Sequence, residues 1–256
     1  MKIVGVIPAR LASIRFPRKI LFGLHGLPMI EHVRRRALLS DSLSEVFVAT
    51  CDLEIASTVR KHGGQVIMTS NKHQSGTSRV AEAAERLDCT HIVLLQGDEP
   101  LLLPRHVDLL AKSITAQPDG DAWNAIAELG NSDELDRPSF VKCVVSQSNR
   151  VIHCFRRSPG YSSFEEQKCF TKKILGIMAF RKNFLLKLTS LDNTLVESAE
   201  SIEQMRIIEH DYILNSVLVN PSLPSINEPH EAEVVLEYMR TNEEQIRLLE
   251  RITREG

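Results

Sequence analysis

At 256 residues the chain is long enough to bury a sizeable core, as one large α/β domain or as a domain carrying a smaller insertion. Its 43% hydrophobic and 25% charged residues are ordinary for a soluble globular protein. The net charge of −2 excludes a general nucleic-acid surface, which needs a basic stripe, and no apolar run approaches the ~20 residues that cross a bilayer.

The first residues, Met1-Lys2-Ile3-Val4-Gly5-Val6-Ile7, are too short for a signal-peptide core and run into a proline, so the expected location is the cytoplasm. Residues 3–7 read as a buried strand, and residues 28–39 as a helix with Ile30, Val33, Ala37 and Leu38 on one side. Strands at 46–49, 65–68 and 91–95 then alternate with helices at 53–62 and 77–87. Gly63-Gly64 ends the second helix, because glycine takes the left-handed cap conformation readily. Strands separated by helices of this length pair in parallel through crossovers, which predicts a Rossmann-like, open, mostly parallel sheet.

The middle of the chain is less regular. Residues 140–145 and 151–155 read as strands joined by a Ser-Gln-Ser-Asn turn, residues 158–168 as an exposed loop, and residues 175–180 as a further apolar run. The expectation is a β-rich insertion, roughly 120–185, covering the ligand edge of the sheet within a single 1–256 domain. Helical periodicity returns at 201–210 and 231–240, and a last helix follows with Thr241-x-x-Glu244 as its capping box. The five cysteines, Cys51, Cys89, Cys143, Cys154 and Cys169, are odd in number and scattered, which suits free thiols. Trp123 reads as core or interface.

Three segments carry chemistry. After the first strand, Pro8-Ala9-Arg10-Leu11-Ala12-Ser13-Ile14-Arg15-Phe16-Pro17-Arg18-Lys19 gathers four cations at the carboxyl edge, where open α/β sheets bind ligands. Arginine forks and a lysine point charge match polyphosphate oxygens, while a solvated basic loop is the plainer alternative. The segment is neither a Walker A loop nor a Gly-x-Gly-x-x-Gly fingerprint. Second, Leu94-Leu95-Gln96-Gly97-Asp98-Glu99-Pro100 ends a buried strand in adjacent carboxylates. Asp98 could ligate magnesium together with substrate phosphates, or simply terminate the strand in a turn. Third, His73-Gln74-Ser75-Gly76-Thr77-Ser78-Arg79 lets a backbone approach a flat ring closely, and Arg79 could meet a base carbonyl or a phosphate. Ser75 or Thr77 can equally cap the following helix, and the two roles are compatible. Eight of the nine histidines lack zinc-ligand spacing, and His73, better placed, still reads as structural.

Taken together these segments resemble the 3-deoxy-manno-octulosonate cytidylyltransferases, or CMP-KDO synthetases, enzymes of the nucleotide-diphospho-sugar transferase fold type. The likeness includes Ile7-Pro8-Ala9-Arg10, Arg15-x-Pro17-x-Lys19, Gly26-x-Pro28-Met29-Ile30, Val48-Ala49-Thr50 and Gly63-Gly64. It continues with His73-x-Ser75-Gly76-Thr77-x-Arg79, Gln96-Gly97-Asp98-Glu99-Pro100, Val141-Lys142, Leu175-Gly176-Ile177 and Glu203-Gln204-x-Arg206. The resemblance implies transfer of CMP from CTP to an acidic sugar, with pyrophosphate leaving. Arg10 and Lys19 would hold the triphosphate with Arg15 nearby, Asp98 would hold Mg2+, and Ser75, Arg79 and Gln96 would frame cytidine. Glu203 and Gln204 would lie near the sugar, the β-rich lobe would contribute to the sugar site and dimer contact, and the protein would be a homodimer.

Departures from the family pattern fall at informative positions. Arg18 replaces the glycine of Arg-x-Pro-Gly-Lys, where a bulky cation adds a phosphate contact or crowds the loop. Cys51 replaces the aspartate after Val-Ala-Thr, with Asp52 following. Ile174 and Met178 replace a histidine and a tyrosine that are expected sugar contacts. Asn227, in Ile226-Asn227-Glu228-Pro229, replaces an aspartate that is a second metal ligand, and keeps only a carbonyl oxygen. Two alternatives follow: the same chemistry on another acid, such as an amino-KDO, another ulosonic acid or a phosphonate, or a CTP-binding regulator without catalysis.

Overall fold

The computed structural model describes residues 1–13, 15–117 and 120–254, which leaves only Ile14 of the cationic segment outside. The chain forms two compact units, Met1–Asp108 with Leu223–Gly256, and Leu109–Ser222.

In the first unit β1 (Ile3–Ala9) is buried along its whole length, as a strand flanked on both edges and covered on both faces should be. A short antiparallel pair, β2 (Gly23–Leu24) and β3 (Leu27–Pro28), turns through His25 and Gly26, whose φ values of 43° and 82° suit a tight primed turn. Then follow α1 (Met29–Ala37), β4 (Glu45–Thr50), α2 (Leu53–Lys61), β5 (Gln65–Met68), α3 (Gly76–Glu85), β6 (His91–Leu95) and α4 (Pro104–Ala116), within which the unit boundary falls. The order β6-β1-β4-β5 is parallel throughout, with Ala9 beside Thr50 and Thr50 beside Met68, so the carboxyl ends form one edge. This is the expected open parallel sheet. Gly63 adopts φ 72° and closes α2 as predicted. On α1, Ile30, Val33 and Ala37 are buried but Leu38, just past the helix end, is 50% exposed: its backbone is still helical, and at about 100° per residue its side chain points away from that stripe.

The second unit contains β7 (Ala122–Ala127), α5 (Asp133–Asp136), β8 (Lys142–Val145), β9 (Val151–Phe155), α6 (Phe164–Phe170), β10 (Thr171–Arg181), α7 (Lys182–Leu188), α8 (Leu195–Glu200), α9 (Gln204–Glu209) and β11 (Leu214–Leu218). β10 pairs antiparallel with β7 and β8, β8 with β9, and β11 runs parallel to β7. Trp123 is fully buried, in the core. Two expectations are corrected. The 158–168 segment is not all loop: Ser163 caps α6 in a complete capping box with Glu166. The helix placed at 201–210 begins at Gln204, because Ser201, at φ 54°, ends α8.

The chain returns to the first unit with α10 (Glu231–Thr241) and α11 (Glu243–Arg254). The cap of α11 is Asn242, whose Oδ1 accepts from the Gln245 amide at 3.1 Å; the Thr241 hydroxyl is turned back to the Glu237 carbonyl. No helix among the described residues is long and apolar enough to cross a membrane. None of the five cysteines forms a disulfide among the described residues.

Candidate functional site

The carboxyl edge of the first unit's sheet carries the three segments singled out above. The cationic loop is pinned where it leaves β1, since the Leu11 amide donates to Asp52 Oδ2 at 2.8 Å and the Arg18 amide to the Leu11 carbonyl at 3.2 Å. Asp52 thus anchors the loop, a role that its place beside Cys51 did not disclose. Arg18 sits at φ 61° in the left-handed region, which accounts for glycine at this position in the family pattern. Its guanidinium pairs with Glu54 on the surface and does not line the cavity, so it neither adds a contact there nor crowds it.

One short 3-10 turn, Lys19–Leu21, then brings Lys19 to the end of β6. Its ammonium lies 2.5 Å from Asp98 Oδ2 and 3.3 Å from the Ile226 carbonyl. The Ile226 amide in turn donates to the Asp98 carbonyl at 3.1 Å. Gly97 keeps this corner close-packed: a Cβ there would lie 2.6 Å from Ile20 Cδ1, so the tip of that side chain would have to shift.

The third segment opens α3. Ser75 caps the helix by accepting from the Ser78 amide at 3.2 Å. Arg79 is buried and donates through Nη1 to Thr69 Oγ1 at 2.6 Å and the Ser70 carbonyl at 3.2 Å. His73 both lines the cavity described below and pairs with a neighbouring carboxylate. It meets Glu82 at 2.5 Å, and this hydrogen bond is the main reason the Glu82 carboxyl is held below its ordinary value.

These side chains surround one cavity of about 370 Å³, lined by Arg10, Arg15, Lys19, Ser75, Arg79, Gln96 and Asp98 together with Ser13, His73 and Gly97. Arg10 and Arg15 are exposed and have no ion-pair partner among the described residues. The wall is therefore cationic with a single carboxylate, Asp98, a charge pattern complementary to a polyanion. Asn227 is not part of that lining. Its amide donates to Glu231 Oε2 at 2.6 Å and its Nδ2 to Ser225 Oγ at 3.1 Å, one residue beyond the Ile226 contacts with Asp98 and Lys19. Among the described residues there is no group of three or more His, Cys, Asp or Glu side chains arranged to hold a metal.

Glu203 and Gln204 belong to the second unit, at the start of α9. Gln204 Nε2 donates to Asn124 Oδ1 at 3.0 Å and lies 3.6 Å from Met178 Sδ. Met178 stands opposite Asn124 and Ile174 opposite Ile126, with a register shift between the two pairs, a bulge of the kind found beside binding sites. Arg206 is occupied by Glu197, at 2.5 and 2.8 Å. Sequence reasoning passed over Asn124; the available signal was one polar amide inside the apolar strand Ala-Trp-Asn-Ala-Ile-Ala.

The family described as Cytidylyltransferase matches residues 4–216. A 3-deoxy-manno-octulosonate cytidylyltransferase of Geotalea uraniireducens is 34% identical over 251 residues, covering 94% of this chain and 100% of the relative. A mitochondrial 3-deoxy-manno-octulosonate cytidylyltransferase of Arabidopsis thaliana is 35% identical, covering 93% of this chain and 83% of the relative. Among solved structures, a CMP:2-keto-3-deoxy-manno-octonic acid synthetase complexed with CTP matches with a TM-score of 0.89 and 34% identity over 94% of this chain and 99% of that one. A cytidylyltransferase of Leptospira borgpetersenii, at 17% identity and a TM-score of 0.66, shares the fold.

Proposed function

The chain belongs to the cytidylyltransferase family, and from that premise we propose that it transfers CMP from CTP to 3-deoxy-manno-octulosonate, releasing pyrophosphate. The observation that carries the reading is the Lys19–Asp98 contact in a cavity that Arg10, Arg15 and Arg79 also line. The anomeric hydroxyl of the sugar attacks the α-phosphorus of CTP, the bond to the β-phosphate oxygen breaks, and the charge leaves on pyrophosphate. Such transfer depends on positioning and charge neutralisation. Arg10, Arg15 and Lys19 hold the triphosphate and meet the charge that develops on the leaving group. Ser75 and Gln96 frame the cytosine with Arg79, which, with Nη1 committed to Thr69 and Ser70, offers its remaining N–H groups to the base. Glu203 and Gln204 contact the sugar.

Magnesium suits this donor set. Asp98 spends Oδ2 on Lys19 and keeps Oδ1 without a partner among the described residues, and magnesium commonly binds through one carboxylate plus substrate phosphates. Asn227 offers a carbonyl oxygen as a further ligand. Bound there, the ion would neutralise triphosphate charge. A homodimer working in the cytoplasm, without membrane or nucleic-acid partners, completes the reading on the strength of the resemblance.

A second reading keeps the chemistry and changes the acid. Ile174 and Met178 supply no hydroxyl or imidazole where the family pattern has both, which alters hydrogen bonding to substrate hydroxyls. The test is pyrophosphate release from CTP and magnesium with 3-deoxy-manno-octulosonate, amino analogues, other ulosonic acids and phosphonates. Turnover of 3-deoxy-manno-octulosonate faster than of the others supports the first reading, and the reverse supports the second. CTP binding by calorimetry with no pyrophosphate from any acid would leave a non-catalytic regulator.

A further inference from the structure

Asn124 is fully buried in the middle of β7, where the strand is otherwise apolar. A buried amide is retained only when its hydrogen-bonding groups are satisfied, so the partners of Asn124 say what it does. Its Nδ2 reaches two carbonyl oxygens, Ala125 at 2.7 Å and Leu175 at 3.0 Å. Carbonyls only accept, so both amide hydrogens of Asn124 are committed, and the orientation of the group is decided by chemistry. Oδ1 is therefore an acceptor and nothing else. The group facing it is the Gln204 side chain at 3.0 Å, which must present its NH2 end. The second Gln204 hydrogen has the Met178 sulfur at 3.6 Å, a weak acceptor. Gln204 Oε1 has no partner among the described residues.

We propose that Asn124 is a positioning residue for the acceptor substrate: by locking the Gln204 amide with its nitrogen inward, it leaves a hydrogen-bond acceptor for the bound acid, selective for a hydroxyl or amino group. The proposal rests on the reading above that Gln204 contacts the sugar. It adds what no spacing in the sequence carries, the direction of the amide and the residue that sets it. A flipped amide would set Gln204 Oε1 against Asn124 Oδ1, two acceptors at 3.0 Å, so the lock is one-sided. The same Asn124 contact with the Leu175 carbonyl ties β7 to the start of the bulge on β10, so the lock and the local strand geometry share one residue.

A double-mutant cycle tests this. Asn124→Leu should raise KM for the acid about tenfold, the usual scale for one lost hydrogen bond, and leave KM for CTP unchanged. Gln204→Leu should do the same, and the double variant should be no worse than either single one. Additive losses, or equal increases in both KM values, would overturn the proposal. Asn124→Thr guards against misfolding, because threonine suits a strand and its hydroxyl can both accept from Gln204 and donate to Leu175; it should recover most of the acid affinity, and no recovery counts against the lock. The 15N resonance of the Gln204 side-chain amide is an independent readout that should shift in Asn124→Thr and in Asn124→Leu. If the wild type turns over no acid, the proposed function fails, and an unshifted resonance would sink the lock separately.

Discussion

Lys19 and Asp98, seventy-nine positions apart in the chain, meet at 2.5 Å at the carboxyl edge of the parallel sheet. One arrives on a turn after β1 and the other at the tip of β6, so the contact joins the cationic loop to the metal-binding candidate.

Lys19→Met and Asp98→Asn should each reduce kcat/KM by about a hundredfold or more, the scale on which loss of one preorganised charge-stabilising group acts. The two should differ in kind. Asp98→Asn should also raise the magnesium concentration needed for half-maximal rate, whereas Lys19→Met should mainly weaken CTP. Pyrophosphate release titrated against each ligand distinguishes them; a magnesium curve unchanged in Asp98→Asn would remove Asp98 from the metal site.

Arg18 faces Glu54 and adopts a backbone conformation that costs a side-chain-bearing residue about 1 kcal/mol. Arg18→Gly relieves that strain and loses one exposed ion pair, itself worth about 0–1 kcal/mol. The expected result is unchanged or slightly raised stability in urea, with KM for CTP within about twofold of wild type, against about tenfold for Arg15→Ala. A large CTP defect in Arg18→Gly would return Arg18 to the phosphate site.

The sheet and the cavity were legible because each chemistry-bearing segment follows an apolar strand, and the parallel arrangement sends all such segments to one edge. Residues 91–95 coincide with β6, fully buried, and residues 65–68 with β5, which is only partly buried at the end of the strand order but still carries the apolar run Val66-Ile67-Met68. The capping box of α6 stood in the sequence as Ser163-x-x-Glu166, but the helix it begins is too short to show an apolar stripe. Leu38 sits at the margin of the α1 stripe, and periodicity alone does not say how wide the buried stripe is. Arg18 could not be placed without its φ, and the direction of Gln204 depends on Asn124, eighty residues earlier.

Asn227 is adjacent to the backbone contacts of Ile226 with Lys19 and Asp98, yet its side chain engages Ser225. If magnesium is completed there by a carbonyl oxygen alone, Asn227→Asp should tighten magnesium about tenfold in the presence of CTP, since a full charge beside the ion outweighs a dipole. Calorimetry of magnesium into the CTP complex reads this directly. Equal affinities would mean that position 227 does not reach the metal.

His32 gives the fold a pH dependence separate from catalysis. It is fully buried on α1, with Nε2 at 2.7 Å from the Leu24 carbonyl, so Nε2 carries the proton. Burial pushes its pKa down to about 4 from 6.5; the charges of Arg36, His25 and Arg35 add to the fall and the Leu24 hydrogen bond opposes it. Because the folded value is the lower one, the unfolded chain takes up a proton first as pH drops through 6.5. Stability from this residue is therefore complete above about pH 6.5, declines between 6.5 and 4, and is flat below 4. The shift corresponds to about 3 kcal/mol in total, most of which is lost by pH 4.5. Other titrating groups contribute in the same range, so the measurement is a difference: urea unfolding of the wild type and of His32→Gln at pH 7 and pH 4.5. Glutamine can keep the hydrogen bond to Leu24 and does not titrate. The variant should lose about 2 kcal/mol less than the wild type on acidification, and equal losses would show that His32 takes up a proton as readily in the folded state as in the unfolded one.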